Sequence, residues 1–203
     1  MAKHISLVLF TGVIVATACA PSSIDVGTAE PPSPASSPSR ATAAVDRTTV
    51  SPARTSQSRL AAAEVQTDLA RLRRVVAPYH RFEAAQEAGW TALVPRCRDN
   101  PPVGGMGWHY ANPAYLDGEL DVTRPEALIY EPQEDGSMAF VGVEFVVPFS
   151  IRPAHAEPPR LLGQTFLQNH GDELWMLHVW VGRPNPNGMF ATWNPDVSCR
   201  YAG

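Results

Sequence analysis

Lysine is almost missing from this chain: Lys3 is the only one, and arginine carries the rest of the positive charge. A Schiff-base enzyme needs a lysine amine and a Walker-type phosphate loop needs a lysine beside its glycines, so both chemistries are excluded beyond position 3. The net charge is -4 and no basic stripe occurs, so we expect no nucleic-acid partner. No HExxH zinc helix, GxSxG nucleophile elbow, CxxCH haem site or CxxC redox pair is present. His155-x-Glu157 matches the start of a zinc deaminase signature, but the cysteine pair that should follow is absent. There is no internal repeat. The apolar run over residues 5–15, interrupted by Ser6, Thr11 and Gly12, is shorter than the roughly 20 residues a membrane-spanning helix needs.

What that run does have is the layout of an export signal: Lys3 before it, the small residues Ala16, Thr17 and Ala18 after it. Cys19 comes next, and the stretch resembles the lipobox of bacterial lipoproteins, with Ala16 where Leu or Val is more usual. The resemblance covers the first twenty or so residues. It implies removal of residues 1–18, acylation of Cys19, and a membrane as the partner of an anchored, extracytoplasmic envelope protein. Residues 19–57 are rich in Pro, Ser, Ala and Thr and bury too little to offset the entropy of ordering, which predicts a disordered tether. Residues 58–203 are left for a single globular domain.

With Cys19 assigned to lipid, Cys97 and Cys199 remain, and an even pair in an exported chain reads as a disulfide. The alternative is two separate thiols, one of them a metal ligand. Val65, Leu69, Leu72 and Val76 recur at helical spacing with Arg71, Arg73 and Arg74 on other sides, and Pro78 separates this helix from a second over residues 79–88, capped by Gly89. Beyond Trp90 short strands take over, at residues 127–130, 138–147, 174–181 and, more weakly, 163–168, with Asp135-Gly136 as a hairpin turn between the first two. The expected class is α+β, two N-terminal helices packed on a mainly antiparallel sheet of about four to six strands.

Alternation in residues 138–147 puts Ala139, Val141, Val143, Phe145 and Val147 on one face and Met138, Phe140, Gly142, Glu144 and Val146 on the other. In residues 174–181 it separates Trp175, Leu177, Val179 and Val181 from Met176, His178 and Trp180. Glu144 is thus a carboxylate in an apolar strand, and a buried carboxylate needs a partner or a proton. The Gly-rich stretch at residues 104–113 adds His109 among sharp turns or close backbone approaches. If His109, Glu144 and His178 converge, two imidazoles and a carboxylate suit zinc or non-haem iron, and Met106 and Met176 beside the histidines would suit copper. A ligand pocket would draw on Met106, Trp108, Met176 and Trp180, with Tyr110 and Trp175 as further walls. The competing reading makes both histidines packed core aromatics and pairs Glu144 with Arg183 or Arg124.

From about Ala84 to Cys199 the chain resembles a group of exported bacterial proteins with no assigned activity. The resemblance rests on GGMGWHY at Gly104–Tyr110, PEALIYEP at Pro125–Pro132, VGVEF at Val141–Phe145, LHVW at Leu177–Trp180 and WNPDVSC at Trp193–Cys199. It implies that these segments belong to one domain. Three functions stay open: a module binding a metal ion or small ligand, an envelope interaction module with no ligand site, or an enzyme using a Glu–His pair.

Overall fold

The computed structural model describes residues 52–94 and 96–203, with side chains from position 56. The expected leader, Cys19 and most of the expected tether lie outside the described residues. Helix α1 (Pro52–Val76) starts inside the stretch assigned to the tether. Pro52 is tolerated there because a proline at the start of a helix gives up an N–H that has no partner anyway. Leu69, Leu72 and Val76 are buried while Arg71, Arg73 and Arg74 face solvent. A 3-10 turn over Ala77–His80 follows, then the short α2 (Phe82–Glu87). Gly89 closes α2 as expected: its N–H donates to Gln86 and that of Trp90 to Ala85, the paired bonds of a Schellman motif. Among the described residues no helix is long and apolar enough to cross a membrane.

Among the described residues nine strands follow: β1 (Ala92–Leu93), β2 (Arg98–Asn100), β3 (Gly104–Ala111), β4 (Ala127–Pro132), β5 (Met138–Pro148), β6 (Arg160–Leu161), β7 (Gln164–Thr165), β8 (Leu167–Asn169) and β9 (Leu174–Val179). The main sheet runs β1-β3-β4-β5-β9-β8, with β2 also on β3, and every pairing is antiparallel. An α+β fold with an antiparallel sheet is therefore what this chain forms. β4 and β5 join through the expected turn, where Gln133 donates to Ser137 and Gly136 to Gln133. The expected strand at 163–168 is instead two pieces. β6 and β7 form a hairpin whose central residues, Leu162 and Gly163, both have positive φ, and the buried Phe166 separates that hairpin from β8.

The helices cover one face of the sheet. Leu69, Leu72, Val76, Ala85 and Trp90 pack there with Leu128, Tyr130, Val143, Phe145, Val147, Trp175, Leu177 and Val179. Simple alternation fails at one point. Phe140 joins this core, and Val141 lies in a second cluster with Ile129, Trp180 and Val197. The cause is a β-bulge: Ile129 pairs with Gly142 but Tyr130 with Phe140, so Val141 is an extra residue and the faces exchange there.

The C-terminal segment covers the second cluster. Asn194 exchanges two backbone hydrogen bonds with Gly105, each of 3.0 Å, and Ser198 N–H donates to Glu131. A side chain at Gly105 would sit 2.6 Å from the Val197 carbonyl oxygen, so only glycine admits this segment. Cys97 and Cys199 form the expected disulfide, joining the start of the sheet to the end of the chain.

Glu126, just before β4, is 1% exposed; its Oε2 accepts from the Val146 N–H, and its Oε1 has no partner among the described residues. Burial raises its pKa to about 8, against the pull of the backbone N–H groups. The folded chain then holds a proton that the unfolded chain releases above the ordinary value of 4.5, so stability falls as pH rises from there to about 8. Glu126→Gln keeps the acceptor and removes the titration. We expect its thermal unfolding to match the parent at pH 5 and to be more stable by roughly 3 kcal/mol at pH 8.5. Equal stability of the two proteins at both pH values would contradict this.

Candidate metal centre

The second face of the sheet carries the chemistry. Glu144 and His178 are direct cross-strand partners on β5 and β9, which places their side chains side by side. His109 lies on β3, with β4 and β5 between it and β9. In a flat sheet three strand spacings would put it about 14 Å from His178. Instead His109 Nε2 is 3.2 Å from His178 Nε2. The sheet curls so that this face is concave, helped by bulges at Val141 and between Arg98 and Asp99. Gly142 is part of the same bend, since a Cβ there would meet the Val179 carbonyl oxygen at 2.8 Å. At the open side Arg98 donates to both carboxylate oxygens of Asp172, an ion pair between β2 and the turn before β9.

The three side chains surround one point. Glu144 Oε2 is 3.7 Å from His109 Nε2, and Oε1 is 3.5 Å from His178 Nε2. Two donors each about 2.1 Å from a common ion lie about 3.4 Å apart at a tetrahedral angle and about 3.0 Å at a right angle. His109, Glu144 and His178 are buried and form a group that could hold a metal ion. The competing pairings of Glu144 are not made: Arg183 binds Glu131, and Arg124 binds Asp117 and Glu119.

Burial sets the protonation of the cluster. Loss of water lowers the His109 pKa to about 4, reinforced by Arg98 and opposed by the Gly107 backbone and Asp172. It lowers that of His178 well below the usual value, with His109 and Arg98 adding to the effect. It raises Glu144 to about 8, with Arg98 opposing and Asp172 reinforcing. At neutral pH the histidines are therefore neutral and the carboxyl is mostly protonated, so the short His–Glu distances are not ion pairs. Neutral imidazole is the form that binds a metal, and Glu144 must release its proton to join. Gly107 acts on His109, yet Nδ1 makes no hydrogen bond of normal geometry.

A cavity of about 330 Å³ opens on this cluster. His109 and Glu144 line it, together with Met106, Met176, Arg98 and Asp172. His178 instead lines a smaller cavity of about 160 Å³, which Met176 also borders. The expected aromatic walls are elsewhere. Trp108 pairs with Tyr130, and Tyr110 and Trp175 pack in the helical core, because alternation sends them to the face opposite His109 and His178. Trp180 lies in the second cluster, stacked on His178 at 6.0 Å with its indole N–H donated to Ala191, so it supports the imidazole without reaching the cavity. His80, His155 and His170 are exposed. Sequence reasoning missed Arg98 and Asp172. Adjacency to Cys97 was the one hint for Arg98, and the Asn169-His170-Gly171 turn gave no sign that Asp172 would reach it.

Compared with models of protein families, with curated proteins and with solved structures, the chain matches none.

Proposed function

We propose that this chain is an exported, lipid-anchored domain that holds one divalent metal ion on His109, Glu144 and His178 and turns its remaining coordination positions toward a small-molecule cavity. The observation that carries this reading is the convergence of three side chains from three strands, each with a ligand atom within 4.8 Å of the others, in a buried site. Two histidines and a carboxylate form a familiar set both for catalytic zinc and for non-haem iron. The two His–Glu separations, 3.5 and 3.7 Å, are nearer the tetrahedral spacing than the right-angled one, and the His–His separation of 3.2 Å lies between the two, a balance that favours zinc. Copper is the alternative that Met106 and Met176 would serve, as both border the same cavity. A Glu–His pair acting without metal is less well supported, because 3.5 Å is long for a hydrogen bond between these groups. Export and anchoring are supported by the leader, by Cys19 and by the oxidised cysteine pair, which suits an oxidising compartment.

Titration of metal-free protein with cobalt(II) tests the metal reading. Intense visible bands saturating at one equivalent are expected, as for a four-coordinate site. Absence of saturable bands would contradict it.

A further inference from the structure

Two features of the larger cavity are not explained by metal binding alone. One is charge. A dication with ionised Glu144 leaves one positive charge, and Arg98 and Asp172 cancel each other. The loaded cavity therefore carries a net positive charge in a largely buried place, where an uncompensated charge is costly and a counter-anion is favoured. The other is the incomplete use of Arg98. Its side chain is 23% exposed, and it spends Nη2 alone on Asp172. Nε and Nη1 have no partner among the described residues, so part of the guanidinium fork is open to a second carboxylate.

Apart from Asn169, whose amide donates to Asp172, the remaining walls are apolar, Leu93, Val94, Met106, Ala111, Leu174 and Met176 among them. A site built only for inorganic anions would have no use for them. A volume of about 330 Å³ is at the small end for ligand pockets, which suits a small molecule.

Resting on the metal reading above, we infer that the cavity takes a small organic monocarboxylate, its carboxylate held between the metal and Arg98 and its apolar body against Leu93, Val94, Leu174 and the two methionines. Asp172 then has a definite part. It holds Arg98 in place across the cavity mouth and, by cancelling part of its charge, keeps anion affinity moderate.

The test uses the full chain in detergent, loaded with cobalt(II), with hexanoate, hexanamide and sulfate as probes and the visible cobalt bands as readout. Hexanoate is expected to perturb the bands and to bind at least roughly tenfold more tightly than hexanamide or sulfate. Arg98→Gln should weaken hexanoate at least roughly tenfold, whereas Asp172→Asn should strengthen it severalfold, both with the cobalt stoichiometry unchanged. If the ion pair merely latches the sheet, both variants weaken hexanoate, and the inference is overturned. Equal binding of hexanamide, or of sulfate, overturns it as well. So does a cobalt-loaded protein whose bands ignore hexanoate at millimolar concentration, and in that case the metal reading stands. Failure to bind cobalt removes the metal reading, and this inference with it.

Discussion

Glu144→Gln is expected to leave the fold at least as stable as the parent while lowering metal affinity at least roughly a hundredfold. Removing even a supporting partner of a metal ligand costs about ten- to a hundredfold, so removing the only anionic ligand should cost no less. The stability half of the expectation comes from burial. Glu144 has a pKa raised to about 8, so at neutral pH the folded apoprotein holds mainly the neutral carboxyl, and an amide of the same shape replaces it closely. The raised value also fixes the sign: the parent loses stability as pH climbs from the ordinary carboxylate range toward 8, and the variant keeps only the part of that loss that Glu126 contributes. His178→Ala should lose metal to a similar degree, but it also leaves a hole beside Trp180 and is expected to melt lower. The pair of variants separates loss of ligand from loss of fold. Calorimetry and equilibrium dialysis on both would check it; unchanged metal affinity in both would mean that the three residues do not share an ion.

The second large effect concerns the disulfide. The bridge joins positions 102 residues apart. A cross-link over so long a loop restricts the unfolded chain strongly, and loss of a native disulfide from a small domain costs about 2–5 kcal/mol. The Cys97→Ser, Cys199→Ser double variant is expected to lose about 4 kcal/mol and to melt roughly 10 °C lower than the parent. The C-terminal segment should loosen first, because the bridge fastens the strip in which Asn194 meets Gly105, Val197 covers Ile129 and Val141, and Ser198 reaches Glu131. Amide exchange in residues 194–199 would report it. A parent protein whose melting does not respond to reductant, matched by an equally stable double variant, would contradict this account.

Much of the site is legible in the amino-acid sequence because each strand carries its own alternation. Glu144 stands apart from Val143 and Phe145, and His178 from Leu177 and Val179, whichever strands lie next to them. That Glu144 faces His178 depends on register, and register depends on turns and packing elsewhere in the sheet. The arrival of His109 depends on curl, which is a property of four adjacent strands and of no segment alone. The three glycines of β3 obscure it as a strand: they suit turns in isolation, but here they let the C-terminal strip and neighbouring carbonyls approach. The bulge at Val141 hides the exchange of Phe140 and Val141 between faces, since an extra residue in a strand has no local composition to mark it. Arg98 and Asp172 are out of reach for the same reason as His109. Their contact spans 74 positions and exists only because the two ends of the sheet come together.

Elemental analysis of the chain isolated from cells that produce it, without a histidine tag and without chelator, tests the central claim most directly. About one equivalent of a single transition metal, zinc foremost, is the predicted result for the parent protein, falling to background in Glu144→Gln. Parent protein that carries no stoichiometric metal and takes none up when zinc, iron or copper is supplied would contradict it.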